Sequence, residues 1–326
     1  MKGALTRRTA LAGLLATGLS PARAQMDRYW PGGAVTFVHG LSPGSETDVI
    51  ARAIADYLGR KLGQSITVDA RPGSGGRIAA SQVAEAAPDG RTLLVLSSGY
   101  AVAAAIYKTL PYRPVDDFAM ISLLTEFPLL LVTAADSPVR SFEELVRLGR
   151  SRSTPLLFGS TGNGSLQHVA SELLSQALNL TFRHVPYRGS VQAIGDMVAG
   201  RIDFMIDTPT IELAAIHAGQ VRALLVTSPT RFFALPEVPT PSEVDLPAFS
   251  FTGWQGLAGP AGMPPELVDR ISNEVASVLA DPGFTERMHS IGNLPKPSHP
   301  ADFKNRVVAD IDRWLSIVES SRLQRI

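Results

Sequence analysis

Apolar and polar positions along this chain follow two alternating periods. β-Branched and aromatic residues gather over 35–39, 65–68, 92–96, 156–158, 181–185, 202–206 and 223–226, and each run predicts a short strand. Between the runs the spacing becomes helical. Over 48–62, Val49, Ile50, Ala53, Ile54, Tyr57, Leu58 and Leu62 recur at three and four residues, with Gly63 as a natural stop. Similar stripes predict helices over 78–87, 166–178, 191–198 and 211–217, and Ser141 with Glu144 makes a capping box for another. Strands separated by helix-length segments predict parallel sheets covered by helices on both faces.

The pattern falls into two blocks, near 27–126 and 127–228. The proline-rich stretch 231–247 predicts an extended crossing. Three helices near 264–279, 284–291 and 301–320 are then expected to return over the first block. The expected organisation is therefore a discontinuous first lobe, 27–126 plus 229–326, and a second lobe, 127–228. Hinges are expected near 126–127 and 228–230.

Residues 1–24 read as a cleavable signal peptide. Lys2, Arg7 and Arg8 precede an apolar run over 10–19, and Ala22-Arg23-Ala24 supplies the small-x-small cleavage pattern. That run is too short to cross a bilayer core of roughly 30 Å as a helix. Thr6-Arg7-Arg8-Thr9-Ala10-Leu11 partly resembles a twin-arginine signal without its usual aromatic, so either export route fits. No cysteine follows the cleavage site, which excludes a lipoprotein anchor. The mature protein is expected to be soluble and periplasmic.

Charge changes the picture once the leader is set aside. The full chain of 326 residues carries 30 Lys+Arg and 30 Asp+Glu. The leader holds Lys2, Arg7, Arg8 and Arg23 and no acid, which leaves 26 basic against 30 acidic residues, a net charge of −4. A mildly acidic chain is no general nucleic-acid binder. It also cannot draw in an anion by bulk attraction, so recognition of one must be local. The absence of cysteine removes disulfides, thiolate metal sites and cysteine nucleophiles.

Two loops of small residues follow strands and open helices. Gly40-Leu41-Ser42-Pro43-Gly44-Ser45-Glu46-Thr47-Asp48 does so in the first block, and Gly159-Ser160-Thr161-Gly162-Asn163-Gly164-Ser165 in the second. In open α/β sheets, ligands sit beyond the carboxyl ends of strands, and helix N-termini offer unpaired N–H groups to anions. One such loop from each lobe makes a clamp for a small acid, with Pro43, Gly44, Ser45, Glu46, Thr47, Asp48, Ser160, Thr161, Gly162, Asn163, Gly164 and Ser165 as candidate ligand-binding residues. The same residues also read as ordinary turns, with Thr47, Asp48 and Ser165 capping helices. Asp207, at the carboxyl end of a predicted strand, either reaches the cleft or caps the next helix.

Sharper motifs fail on their chemistry. Gly40-Leu41-Ser42-Pro43-Gly44 fits a nucleophile elbow and leaves an exported serine hydrolase using Ser42 as an alternative. Pro43, however, lacks the N–H that an oxyanion hole needs after the serine. Gly159 to Gly164 has P-loop spacing, but Ser165 stands where lysine is required. His39, His168, His184, His217, His289 and His299 show no i,i+3 or i,i+4 pair, so no metal site is expected. His168 reads as a packed or hydrogen-bonding residue, and Trp254 and Tyr187 as core or hinge residues. No catalytic residue and no cofactor are assigned.

An ordered series of blocks then carries a resemblance. It includes Trp30-Pro31, Pro43-Gly44 with Thr47-Asp48, Arg71-Pro72-Gly73 and Ala87-Pro88-Asp89-Gly90. Leu110-Pro111-Tyr112, Gly162-Asn163-Gly164 with Gln167-His168, Val185-Pro186-Tyr187-Arg188-Gly189 and Gly259-Pro260-Ala261-Gly262 continue it. With these, the chain resembles the solute receptors of tripartite tricarboxylate transporters, the Bordetella uptake gene (Bug) family. The resemblance implies an α/β, two-lobed periplasmic binding protein fold, type II-like, with each lobe a mostly parallel sheet flanked by helices. It implies a monomeric, non-enzymatic receptor that closes on a small organic acid and delivers it to membrane permease subunits. The two loops would hold the ligand carboxylate, largely through backbone N–H groups and water. A receptor feeding a membrane sensor kinase is the alternative role.

The first loop departs from the family pattern, Pro-Pro-Gly-Gly-Ser-Thr-Asp. Ser45 replaces a glycine, and Glu46 places a carboxylate where the family has a small hydroxyl. At about 4 Å and an effective dielectric near 20, like charges repel by roughly 4 kcal/mol. That exceeds one or two hydrogen bonds of about 1 kcal/mol each. Glu46 is therefore expected either to turn outward or to meet a cationic or donor group of the ligand. Leu166, following Ser165 where a hydroxyl residue is common, makes the second loop less polar.

Overall fold

The strand runs assemble into two sheets in a computed structural model that describes residues 30–320 and Arg325. The leader assigned to 1–24 lies outside the described residues. The first sheet is built from β1 (Val35–His39), β2 (Ile66–Ala70), β3 (Thr92–Ser97), β4 (Phe118–Phe127), β10 (Gly253–Pro260) and β11 (Leu294–Pro295). Its order is β11-β4-β10-β3-β1-β2. The second contains β5 (Leu130–Ala134), β6 (Leu156–Ser160), β7 (Phe182–Pro186), β8 (Phe204–Asp207) and β9 (Val221–Val226), in the order β7-β6-β8-β5-β9. This is the expected two-lobed α/β architecture.

Both sheets are mixed. Parallel pairing is confined to β1 with β2 and β3, and to β6 with β7 and β8. The strands that carry the chain between lobes, β4, β5, β9 and β10, pair antiparallel. They add the antiparallel half that the repeating strand–helix pattern does not announce.

Around the first sheet lie α1 (Glu46–Leu62), α2 (Arg77–Ala84), α3 (Ser98–Ile106), α8 (Pro265–Leu279), α9 (Pro282–Ser290) and α10 (Pro300–Ser320). Around the second lie α4 (Phe142–Ser151), α5 (Leu166–Leu178), α6 (Ser190–Val198) and α7 (Pro209–His217). α1 begins three residues before Val49, the start of its apolar stripe, and buries Ile50, Ala51, Ile54 and Leu58. Gly63 ends it at φ 62, returning its N–H to the Gly59 carbonyl. In β10, a Cβ on Gly256 would lie 2.0 Å from the Phe303 ring, so glycine is what lets α10 settle on the sheet. Trp254 is fully buried there, edge-on to Phe303, and donates its indole N–H to Asp310.

The lobes meet at two crossings that hold each other. Leu129 N–H donates to Thr227 Oγ1 (2.8 Å), and Thr227 N–H donates to the Leu129 carbonyl (2.9 Å). Phe251 N–H then takes the Thr227 carbonyl. After β9 the chain packs Phe232, Leu235 and Val238 into the second lobe's cluster before Phe249 and Phe251 rejoin α10. So the start of 229–326 covers lobe 2, because its apolar side chains follow β9 rather than the proline content. Thr227→Val keeps the shape but leaves the buried Leu129 N–H unpaired. It should cost about 1–3 kcal/mol in urea unfolding; an unchanged midpoint would remove the hydroxyl from the crossing.

Candidate functional site

The two small-residue loops share one construction. Ser45 N–H donates to the Ser42 carbonyl, and Ser165 N–H to the Gly162 carbonyl, closing a turn in each. Gly44 (φ 78) and Gly164 (φ 75) hold the left-handed position of those turns. Ser45 and Ser165 are the helix N-caps, accepting the N–H groups of Asp48 and His168. The third residue of each helix then reaches back: Gly44 N–H donates to Asp48 Oδ2 (3.0 Å), and Gly164 N–H to His168 Nδ1 (3.2 Å). Capping thus falls to Ser45 and Ser165, and not to Thr47 or Asp48, because α1 starts at Glu46.

This leaves the first two amides of each helix, at Glu46 and Thr47 and at Leu166 and Gln167, without a backbone partner in their own helix. Each set sits at the carboxyl end of a strand, β1 or β6, where an anion finds oriented donors. Pro43 and Gly44 are exposed, as is Asn163, while Thr161, Gly162 and Ser165 are half-buried. A small cavity of about 30 Å³ adjoins the first loop at Gly40, Thr47, Gly76 and Tyr100. The larger concavity, about 550 Å³, lies elsewhere, over the edge strand β9 beside Arg140 and Arg222.

Most side chains of the candidates are committed to the protein. Asp48 accepts from His39 Nε2 (3.0 Å) and Arg52 Nε (2.9 Å) as well as Gly44. Burial lifts its carboxyl, and the bonds from Arg52, Gly44 and His39 outweigh that, holding it below its ordinary value. His39 is buried and driven down by desolvation, against the pull of Asp48. Its Nδ1 accepts the Leu41 N–H, so both ring nitrogens are occupied and neither serves exposed Ser42 as a base. Among the described residues no histidine is hydrogen-bonded to Ser42.

In the second loop, Ser160 is fully buried, with Oγ 2.6 Å from His184 Nε2 and accepting the Gly162 N–H. His184 stacks on His168 at 4.1 Å and on Phe158. Burial pushes both imidazoles down to about 4, so they are neutral packing groups that set the loop's shape. Among the described residues no group of three His, Cys, Asp or Glu side chains could hold a metal ion.

Asp207 is buried at the end of β8. Its Oδ1 accepts from Gln167 Nε2 (2.9 Å) and the Thr208 N–H (2.7 Å), and burial raises its acid against the hydrogen bonds of Ser190, Gln167 and Thr208. It does not cap α7, whose N-cap is Thr208. Gln167 also accepts from Thr161 Oγ1, linking loop to carboxyl.

Glu46 turns inward, at 5 % exposure. Thr210 Oγ1 donates to its Oε1 (2.8 Å), Asn293 Nδ2 reaches the same oxygen (3.1 Å), and Gln255 Nε2 lies 3.5 Å from Oε2. Burial, aided by Asp207, lifts this acid to about 8. Protein donors, not an outward turn, therefore account for the departure from the family pattern. Thr210, Asn293, Gln255 and Gln167 are the site residues that sequence reasoning missed, although Gln167-His168 stood among the resembling blocks.

Comparison with known proteins agrees with this fold. The family model described as "Tripartite tricarboxylate transporter family receptor" matches residues 50–323. A Pseudomonas sp. (strain P51) protein, "UPF0065 protein in tcbD-tcbE intergenic region", is 38% identical over 319 residues, covering 97% of this chain and 95% of its own. MatC from Rhodopseudomonas palustris, solved with bound malate, is 33% identical with a TM-score of 0.82, over 89% of this chain and 100% of that one. An R. palustris protein solved with adipate is 32% identical with a TM-score of 0.85, over 89% and 98%.

Proposed function

Because the chain belongs to the tripartite tricarboxylate transporter receptor family, we propose that it is a periplasmic solute receptor that takes a small organic acid between its lobes and hands it to a membrane permease. The observation that carries this reading is the duplicated loop. Each lobe presents a Ser-capped helix N-terminus with two amides that have no partner in their own helix, and an acid lying between them gains hydrogen bonds and the dipoles of two helices. The acidic balance of the chain makes this local donor set the source of affinity. The ligand contacts are proposed at the backbone of Pro43, Gly44, Ser45, Glu46 and Thr47 and of Thr161, Gly162, Asn163, Gly164 and Ser165. Asp48, Ser160 and Asp207 act behind them by fixing loop shape. Malate and adipate, bound by the two R. palustris relatives, are the natural first probes.

The test is a thermal-shift screen of the protein lacking residues 1–24 against mono-, di- and tricarboxylates, amino acids and aromatic acids. Saturating acid at a hundred times its Kd stabilises by about 2.7 kcal/mol, a shift of several degrees. A melting temperature that no acid moves, together with turnover of an ester, would overturn the receptor reading.

A further inference from the structure

Glu46 lies where the two lobes meet. It belongs to α1 of the first lobe, yet its shortest hydrogen bond comes from Thr210 at the start of α7 in the second. Asn293, from the turn before β11, ties the two together: its Nδ2 reaches Glu46 Oε1 and also lies 2.9 Å from Thr210 Oγ1. The neighbouring contact is close. A Cβ on Gly292 would lie 2.6 Å from Pro209 Cβ and 2.9 Å from Leu213 Cδ1, both in the second lobe. The Glu46–Thr210–Asn293 cluster therefore joins residues of the two lobes directly.

We propose that the Glu46 carboxyl is a cross-lobe latch that holds the lobes closed through Thr210 and Asn293 while it is neutral and lets them part when it loses its proton to solvent. Burial and the like charge of Asp207 favour the neutral form, and they outweigh the hydrogen bonds donated by Thr210, Asn293 and Gln255, which favour the ionised one. From β8 the charged group that faces Glu46 is Asp207, itself buried, with the buried carboxyl of Glu212 on α7 behind it. From β10 comes Gln255, whose Oε1 is taken by Thr47 Oγ1, and from the β11 turn the neutral Asn293. On its own helix Asp48 and Arg52 are paired with each other. No cation faces the Glu46 carboxyl among these groups. The Asn293 Oδ1 is buried without a donor among the described residues.

The sign follows from linkage. In the closed molecule the acid sits at about 8, and in an opened, wetted cleft it returns toward 4.5. The closed form then binds the extra proton. Its closing constant falls by up to about tenfold per pH unit between those values and levels off above them. Release of solute as pH rises rests on the receptor reading; the latch itself does not.

The latch is read in ligand-free protein. The chain has no cysteine, so Glu266→Cys on α8 and Gln192→Cys on α6, both exposed, place one spin label on each lobe. Interlobe distances are then measured from about pH 5 to about pH 9. The latch predicts lengthening with pH when Glu46 is present. Glu46→Gln, which keeps the acceptor and cannot ionise, should stay short throughout. Glu46→Ser should be long throughout, and so should Thr210→Val, which removes only the second lobe's hydroxyl. A pH-independent distance with Glu46 present, or a Glu46→Gln profile that follows it, overturns the proposal and moves any pH response to Asp207 and Glu212. If no acid binds while the distances behave as predicted, the receptor reading fails and the latch stands.

Discussion

Gly292→Val should weaken acid binding by about ten- to a hundredfold while leaving each lobe folded. Gly292 stands at φ 77, and any side chain there points at Pro209, Leu213 and Phe232. Two of those contacts, at 2.6 and 2.9 Å, are far below van der Waals distance and involve a rigid ring and a buried leucine. Overpacking of this kind costs about 1–3 kcal/mol, and a β-branched residue at positive φ adds about 1–3 kcal/mol of backbone strain. The two costs act differently. Backbone strain is present in open and closed forms and appears as lower stability in urea. The clash exists only when the lobes meet, so it appears as lost affinity and as a more extended molecule in solution scattering. Calorimetric titration with whichever acid the thermal-shift screen identifies separates them. An unchanged Kd would mean that binding does not require this interlobe contact.

What the sequence made legible, and what it hid, follows from how far apart the interacting residues lie. α1 was visible because its partners are a local stripe, Ile50, Ile54 and Leu58, closed by Gly63. The loops were visible because strand, small residues and helix follow one another directly. Their common design is even spelled out as Gly44-Ser45-x-x-Asp48 and Gly164-Ser165-x-x-His168. α3 was hidden for the opposite reason. Ser98, Tyr100, Ala101, Val102, Ala103, Ala105 and Ile106 are all buried, so no polar face interrupts the run and no helical period emerges. β10 was hidden because Gly253, Gly256 and Gly259 depress its strand propensity, although the strand lies between β3 and β4 at the centre of the sheet.

The orientation of Glu46 was out of reach of any local argument. Its partners Thr210, Gln255 and Asn293 lie 164, 209 and 247 positions away. From the loop alone the choice was between solvent and ligand. The fold supplied a third option, a polar cluster contributed by the other lobe and by the returning tail.

Asp48→Ala should remove about 2–4 kcal/mol of stability near neutral pH and abolish the first half of the acid clamp. The carboxylate serves three donors at once: the buried His39 ring, the Gly44 amide that sets the turn, and the partly exposed Arg52. Alanine leaves the His39 Nε2–H without an acceptor in a site where the ring is 0% exposed, at about 1–3 kcal/mol, and forfeits hydrogen bonds to an ionised group worth about 1.5–3 kcal/mol in favourable cases. Arg52 is exposed enough to regain water, so its share is small. The pH dependence gives the prediction its signature. The Asp48 acid is held below its ordinary 3.8, so its contribution is fully present above that value and is lost as pH falls through the native one. Urea unfolding at about pH 7 should therefore separate variant and parent widely, and at about pH 3 the two curves should approach each other. Without Asp48 the Gly44 amide also loses its anchor, so the turn that aims the Glu46 and Thr47 N–H groups is no longer fixed. Binding should fall with stability even in solutions where the variant stays folded. Equal urea midpoints at neutral pH would show that the loop holds its shape without this carboxylate, and would leave Ser45 alone as its organiser.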